Sequence, residues 1–312
     1  MTKRVLVTGG AGFIGSHLVR RLLGSGCEVV VLDNFATGKR ENLHDIEGRF
    51  ELVEGSIVDG AAVEQAMRGC KHVVHLAALP SVARSLEAPL DSHHACATGT
   101  ANVLWAAKQH AARVVYAGSS SAYGNQQELH KHEGMREDPL SPYAAAKLAG
   151  ELYCRSFARV FGIPVVVTRF FNVFGPRQVP DSVYSGVVAA FCLAVLRGSS
   201  PRIDGDGLQS RDFTYVEDVV EGVEQALFAD TQGCEIVNLA YGNSCTVRDL
   251  LAEICRVAGR SVEPLYAPGR KGDVRHSLAD IGRAKSVLGF CPRIGFAEGI
   301  RRTYDWYRSQ YS

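Results

Sequence analysis

Residues Arg4–Leu18 read RVLVTGGAGFIGSHL, and this stretch decides the fold. Val5, Leu6 and Val7 make an apolar run of the length expected for a short buried strand. Gly9, Gly12 and Gly15 follow at the spacing G-x-x-G-x-x-G as a helix begins. Each glycine answers a separate steric demand. Gly9 permits a tight turn, Gly12 lets the backbone approach a pyrophosphate, and Gly15 lets the helix pack close to the strand, so the positive helix N-terminus faces the phosphates. A glycine triplet by itself also occurs in purely structural turns. Here it has a strand before it, a helix after it, and a second strand, Glu28–Leu32, ending in Asp33 about 20 residues on, where a carboxylate can bond the adenosine ribose hydroxyls. Asn34 rather than arginine follows Asp33, which favours NAD over NADP because an unpartnered carboxylate repels the extra phosphate.

The bulk numbers narrow the partners. A chain of 312 residues has room for one large α/β domain or two smaller ones. With 34 basic against 33 acidic residues the net charge is +1, which leaves no electrostatic footprint for nucleic acid or a membrane surface. The longest apolar run, Val183 to Leu196, is too short to span a bilayer and carries Tyr184, Ser185 and Gly186. Met1-Thr2-Lys3-Arg4 runs straight into the first strand without a signal-peptide pattern, so a cytoplasmic location is expected. The nine cysteines are scattered singly with no C-x-x-C pair, and are expected reduced and buried as small apolar residues. His93-His94 and His130/His132 lack carboxylate or cysteine partners at ligand spacing, so surface histidines and no metal are expected.

Further strands are expected at Phe50 to Val53, His72 to Ala78, Arg113 to Ala117 and Pro164 to Thr168. Helices are expected from Gly60 to Arg68, from Pro89 to about His110 and from Tyr143 to about Phe161. This alternation implies right-handed βαβ units and a doubly wound parallel sheet of the Rossmann type. After RFFNVFGPR (169–177) the alternation weakens, which predicts a smaller, discontinuous C-terminal α/β lobe that would hold the substrate. The division read from this is residues 1–172, with returning segments near 210–240, for the NAD-binding part and residues 173–312 mainly for the lobe.

Tyr143 and Lys147 stand at i and i+4, stacked on one helix face whose start is marked by Ser141 as N-cap and Pro142 in the first turn. A tyrosine with an unperturbed pKa of about 10 is a poor base, but an adjacent ammonium and an oxidised nicotinamide both stabilise its phenolate. Ser119 ends the fifth strand, on the sheet edge where doubly wound folds bind ligands, and can bond the same oxygen. The bland reading of Y-x-x-x-K is a surface pair; the capped helix after a serine-rich strand end, in a chain with a nucleotide cradle, favours catalysis.

With these motifs the chain resembles the extended short-chain dehydrogenase/reductase superfamily, whose fingerprint reads TGGAGFIG as Thr8–Gly15 do, and within it the sugar-nucleotide 4-epimerases, above all bacterial UDP-N-acetylglucosamine 4-epimerases. The resemblance implies Ser119, Tyr143 and Lys147 as the catalytic group. It implies cofactor contacts at Gly9, Gly12, Phe13, Ile14, Gly15, Asp33, Asn34, Thr37, Gly38, Ser56, Ile57, Leu76, Ala77, Ala78 and Thr98, with Tyr143, Lys147 and Phe170 by the nicotinamide. Substrate contacts implied are Ser81, Ser119, Ser120, Ser121, Asn172, Arg211 in SRDF, Arg270 in GRKGDVRHS, Asp273 at the uridine ribose, and Ser277. Many relatives carry aspartate at the position of Ser56 and asparagine at that of Thr98. Related 4,6-dehydratases carry Asp-Glu where Ser120 and Ser121 stand, which disfavours dehydration here. The reaction implied is a redox cycle without net change: Tyr143 takes the O4 proton as the C4 hydride leaves for NAD, and the 4-keto sugar turns about its diphosphate and takes the hydride back on its other face. A homodimer through the helices at about 89–110 and 142–161 is implied as well, with Leu148, Leu152, Val103 and Leu104 as its apolar positions.

In relatives the residue matching Ser277 lines the sugar pocket, and a tyrosine there restricts the enzyme to plain hexoses. The small Ser277 points to UDP-GlcNAc and UDP-GalNAc, with UDP-glucose and UDP-galactose tolerated. A UDP-glucose-only or a UDP-uronic acid 4-epimerase is the alternative, and Ser277 as the cap of a helix near Asp280 is the structural reading of that residue. A net NAD-dependent sugar dehydrogenase or reductase, or a non-catalytic NAD-sensing protein, are remoter readings.

Overall fold

A computed structural model describes residues 3–180, 186–269 and 274–311. Seven parallel strands make the main sheet: β1 (Arg4–Thr8), β2 (Glu28–Asp33), β3 (Glu51–Glu54), β4 (His72–His75), β5 (Arg113–Ser119), β6 (Val165–Phe170) and β7 (Cys234–Leu239). Their order is β3-β2-β1-β4-β5-β6-β7. The order reverses between β1 and β4, and that switch point opens a crevice at the C-terminal ends of the strands. Strand residues are buried on both faces, as in Val5, Leu6 and Val7 or Val165, Val166 and Val167, because helices cover the sheet on each side. One face carries helices Phe13–Gly24 and Val216–Phe228, with Leu18, Leu22, Val219 and Val223 in its core. The other carries Gly60–Met67, Gly99–Gln109 and Pro142–Phe161, with Val63, Met67, Leu104 and Cys154.

The smaller lobe packs helices Val187–Arg197, Val247–Ala258 and Phe296–Tyr311 around Phe191, Leu250, Ile254, Ile300 and Tyr307. A small sheet borders it, in which Cys245–Thr246, Ser210–Arg211, His276–Ala279 and His130–Lys131 lie side by side. Among the described residues no helix is long and apolar enough to cross a membrane.

Several expectations change. β4 stops at His75 because its neighbour β1 ends at Thr8: Leu76 N–H makes the last backbone bond, to the Thr8 carbonyl at 3.1 Å, and Ala77 N–H finds the Thr8 hydroxyl at 3.2 Å. The helix from Pro89 runs on to Gln109 as expected, but passes through a π turn, His94–Thr98, where the Thr100 hydroxyl donates to the Cys96 carbonyl at 2.6 Å. Helix Val82–Glu87, a short strand in the 125–139 loop, and β7 are additions. The apolar helix starts at Val187, residues 181–185 lying outside the described ones. Of the cysteines, Cys27, Cys70, Cys96, Cys154 and Cys192 are buried, but Cys291 is exposed. Val103 and Leu104, expected at a subunit interface, are fully buried in the chain's own core. The apolar side chains that these helices do expose include Leu90, Trp105, Leu152, Tyr153, Val160 and Phe161, and helix Val82–Glu87 exposes Leu86.

Candidate active site

The crevice is a cleft of about 940 Å³ lined at one end by Gly9, Gly12, Phe13, Ile14, Gly15, Asp33, Asn34, Thr37, Gly38, Ser56, Ile57, Leu76, Ala77 and Ala78. Gly9 turns at φ +73°, and a Cβ there would meet the Ala77 backbone at 2.8 Å. Gly12 caps helix Phe13–Gly24 without a side-chain hydrogen bond, so amides of the first turn remain for an anion in the cleft. The Asp33 carboxylate accepts from Ala11 N–H at 2.9 Å and from Phe35 N–H at 2.8 Å. Burial raises its pKa and these two bonds oppose the rise, holding it aimed with acceptor capacity to spare. An uncapped helix start, a glycine floor and a fixed carboxylate are what a dinucleotide's pyrophosphate and ribose need, and the residues fit NAD.

At the other end the cleft is lined by Ser119, Ser120, Ser121, Tyr143, Lys147, Phe170, Asn172, Arg211 and Ser277. Ser119 ends β5, and its hydroxyl lies 2.8 Å from that of Ser121 and accepts the Ser121 N–H at 3.2 Å. Tyr143 and Lys147 ride on helix Pro142–Phe161, whose cap is as expected: the Ser141 hydroxyl accepts from Ala144 N–H at 3.2 Å. Burial pushes the Tyr143 phenol above its ordinary range, and a hydrogen bond with Ser119 pulls it back. Burial likewise lowers the Lys147 ammonium, while the nearby Cys96 and Cys154 thiols and Glu151 oppose that.

Ser210–Arg211 runs parallel to His276–Ala279 in a register that pairs Arg211 with Ser277, which sets both on one wall. Behind them the Asp212 carboxylate, fully buried, accepts N–H bonds from Tyr241 and Gly242, both at 3.0 Å, and from Ala279 at 3.2 Å. It pins three segments together, and its burial pushes its pKa up to about 7.

Two expected residues are not brought to the cleft. Ser81 caps helix Val82–Glu87, its hydroxyl accepting from Arg84 N–H at 3.2 Å, and Thr98 sits half-buried in the π turn; neither lines the cavity. Arg270 and Asp273 lie outside the described residues. Conversely Arg84, Lys131 and Arg177 line the cleft without having been singled out. Arg177 stands in the quoted GPR at φ +68°, and that charged residue beside a Gly-Pro turn is a signal that could have marked it.

A phenol, an ammonium and a serine hydroxyl at the nicotinamide end of a dinucleotide cleft define the short-chain dehydrogenase/reductase class. More narrowly, the model of the NAD dependent epimerase/dehydratase family matches residues 5–240, and the chain belongs to that family. It is similar to the UDP-glucose 4-epimerase of Mycolicibacterium smegmatis, 39% identical over 312 residues that span 98% of this chain and 99% of the relative. Among solved structures it is similar to the UDP-N-acetylglucosamine 4-epimerase of Methanobrevibacter ruminantium, at a TM-score of 0.94 and 37% identity over 99% of both chains. It is similar also to the NAD complex of Thermus thermophilus UDP-glucose 4-epimerase, at a TM-score of 0.90 and 39% identity over 98% and 99% of the chains. The chain is an NAD-dependent enzyme of the isomerase type, and 4-epimerisation of a UDP-sugar is its class of reaction.

Proposed function

We propose that the enzyme interconverts UDP-glucose and UDP-galactose, and that it also accepts the 2-acetamido pair UDP-GlcNAc and UDP-GalNAc. The observation that carries the wider range is Ser277. It does not cap a helix: it lies within strand His276–Ala279, and the following helix Gly282–Leu288 has Ile281 at its N-cap. A small side chain beside Arg211 in the cleft leaves volume for an acetamido group as the sugar turns over. The reading of N-acetylated substrates as the principal ones gives way here, since relatives of both kinds are equally similar to this chain.

In this reading NAD, when bound, accepts and returns the hydride at C4. Tyr143 takes the O4 proton and gives it back, Ser119 orients O4, and Lys147 keeps the phenolate stable. Asn172 and Arg211 hold the diphosphate while the sugar rotates. The test is purified protein without added cofactor, offered UDP-glucose, UDP-GlcNAc and UDP-glucuronic acid in turn. Epimerisation of the first two, with NAD in the supernatant after denaturation, is expected. Conversion of UDP-glucuronic acid alone overturns the substrate proposal, and NADP in the supernatant overturns the Asp33 reading. Ser277→Tyr is expected to abolish turnover of UDP-GlcNAc while UDP-glucose turnover survives; equal loss on both shows that Ser277 is structural.

We infer further that a second copy of the chain covers the exposed Trp105, Leu152, Tyr153 and Phe161. Sedimentation at micromolar concentration is expected to give a dimer that Leu152→Arg converts to a monomer. A monomeric wild type excludes that interface.

A further inference from the structure

Tyr116 lies on β5, three residues before Ser119, and is fully buried. It touches Lys147 twice. Its hydroxyl donates to the Lys147 backbone carbonyl at 3.0 Å, and the Lys147 Nζ stands 4.3 Å from the centroid of its ring. Gly150, one turn on from Lys147, makes the approach possible: a Cβ there would press on the Tyr116 hydroxyl and ring and on the Cys96 carbonyl.

Other groups pack around the same ammonium. On the far side of Tyr116, His75 sits with ring centroids 5.6 Å apart. The Thr100 hydroxyl gives its proton to the Cys96 carbonyl at 2.6 Å, so at 3.0 Å it accepts the His75 Nε2–H. His75 Nδ1 then accepts from the Thr8 hydroxyl at 2.7 Å, and Thr8 in turn accepts the Ala77 N–H at 3.2 Å. Every position in this chain of bonds is taken, which holds His75 as a neutral imidazole; burial and the Lys147 charge push its pKa down to about 3. The groups around Lys147 are thus Tyr143, Glu151 and Cys154 on its own helix, Tyr116 on β5, His75 on β4 and Cys96 in the π turn. Glu151 is already committed to Arg169, which it binds at 2.6 and 3.0 Å.

We propose that Tyr116 is a positioning residue for Lys147: its ring face carries the ammonium and its hydroxyl fixes the backbone of the same lysine, so the cation stays beside Tyr143. This rests on the reading of Tyr143 as base and Lys147 as its cation. A cation held on an aromatic face is stabilised by that face, and more so when desolvated. Without the ring the ammonium is no longer held against Tyr143, the phenolate loses its stabilising neighbour, Tyr143 ionises at higher pH, and the acid limb of the profile moves up.

The test is kcat against pH for the NAD-loaded enzyme and two variants. Tyr116→Leu, which removes the ring, is expected to lower kcat about tenfold near neutrality and to move the acid limb up by about one pH unit. Tyr116→Phe, which keeps the ring and frees it, is expected to cost roughly threefold with a displacement of a few tenths of a unit. A folded, NAD-loaded Tyr116→Leu with the wild-type limb overturns the proposal. If that variant does not fold, a Tyr116→Phe enzyme with wild-type kcat and limb overturns it. Lys147→Met separates the two readings: if it remains active the assignment of Lys147 as the cation falls, whereas if it is inactive while the Tyr116 variants behave as wild type, only the role of Tyr116 falls.

Discussion

Tyr143→Phe is expected to lower turnover about 10²- to 10⁴-fold while NAD stays bound. The substitution keeps the ring that lines the cleft and removes only the hydroxyl that Ser119 faces. The cradle is untouched, because Gly9, Gly12 and Gly15 are built on β1 and its helix on the far side of the switch point. The size of the loss follows from the chemistry. A secondary alcohol gives up hydride readily only as its proton leaves, and the Tyr143 hydroxyl is the group proposed to take it. The wild-type phenol is held high by burial, so its activity is present above the pH at which Tyr143 ionises in the loaded enzyme and is lost as pH falls through that point. The variant should lose that acid limb along with its rate. Measuring kcat from pH 5 to 9, with NAD content by denaturation, checks both; near-native turnover shows that another group takes the proton.

The residues proposed for that reaction are legible in the sequence because each is specified locally. Gly9, Gly12 and Gly15 mark a turn and a helix start, Asp33 ends the next strand, and Ser141-Pro142 opens the helix that carries Tyr143 and Lys147. The sheet up to β6 follows from alternation alone. What is not legible depends on partners far along the chain. β7 comes after a long excursion through the lobe and reads as a strand only once β6 is there to pair with it. Ser210–Arg211 is two residues long, too short for any period, and owes its place to His276–Ala279. Val103 and Leu104 show the same limit from the other side: apolar residues on an expected interface helix belong instead to the core against β5, and only three dimensions tell which face is inward. Tyr116 looks like any strand aromatic until Lys147 and Gly150 close over it.

Glu151→Leu is expected to destabilise the protein by about 3–5 kcal/mol, lowering Tm by roughly 10 °C. Glu151 and Arg169 are almost wholly buried, joined at 2.6 and 3.0 Å, with Glu137 at 2.8 Å from Arg169 and Arg155 at 2.5 Å from both glutamates. The Arg169 guanidinium also lies 4.6 Å from the Tyr123 ring centroid. Two positive and two negative groups balance, so removing Glu151 leaves two guanidinium groups with one carboxylate, and Arg169 is 0% exposed with no access to water. The buried charge left without its partner, more than the lost attraction, makes the change costly. Arg169→Met alone leaves Glu151 with Arg155, which is partly exposed, and should cost less. The double variant Glu151→Leu/Arg169→Met leaves the Arg155–Glu137 pair intact and should recover most of the stability lost in Glu151→Leu, because two apolar side chains replace two mutually dependent charges. Denaturant unfolding of the two single variants and the double one measures the coupling; additive losses would show that the pair is independent and that the cost lies in packing. The cluster bears on the proposed reaction through its position: Glu151 is one turn beyond Lys147 and Arg169 directly precedes Phe170, so it joins the helix of Tyr143 and Lys147 to the strand whose end lines the same cleft. The recovered double variant is therefore expected to regain stability while its kcat remains below wild type.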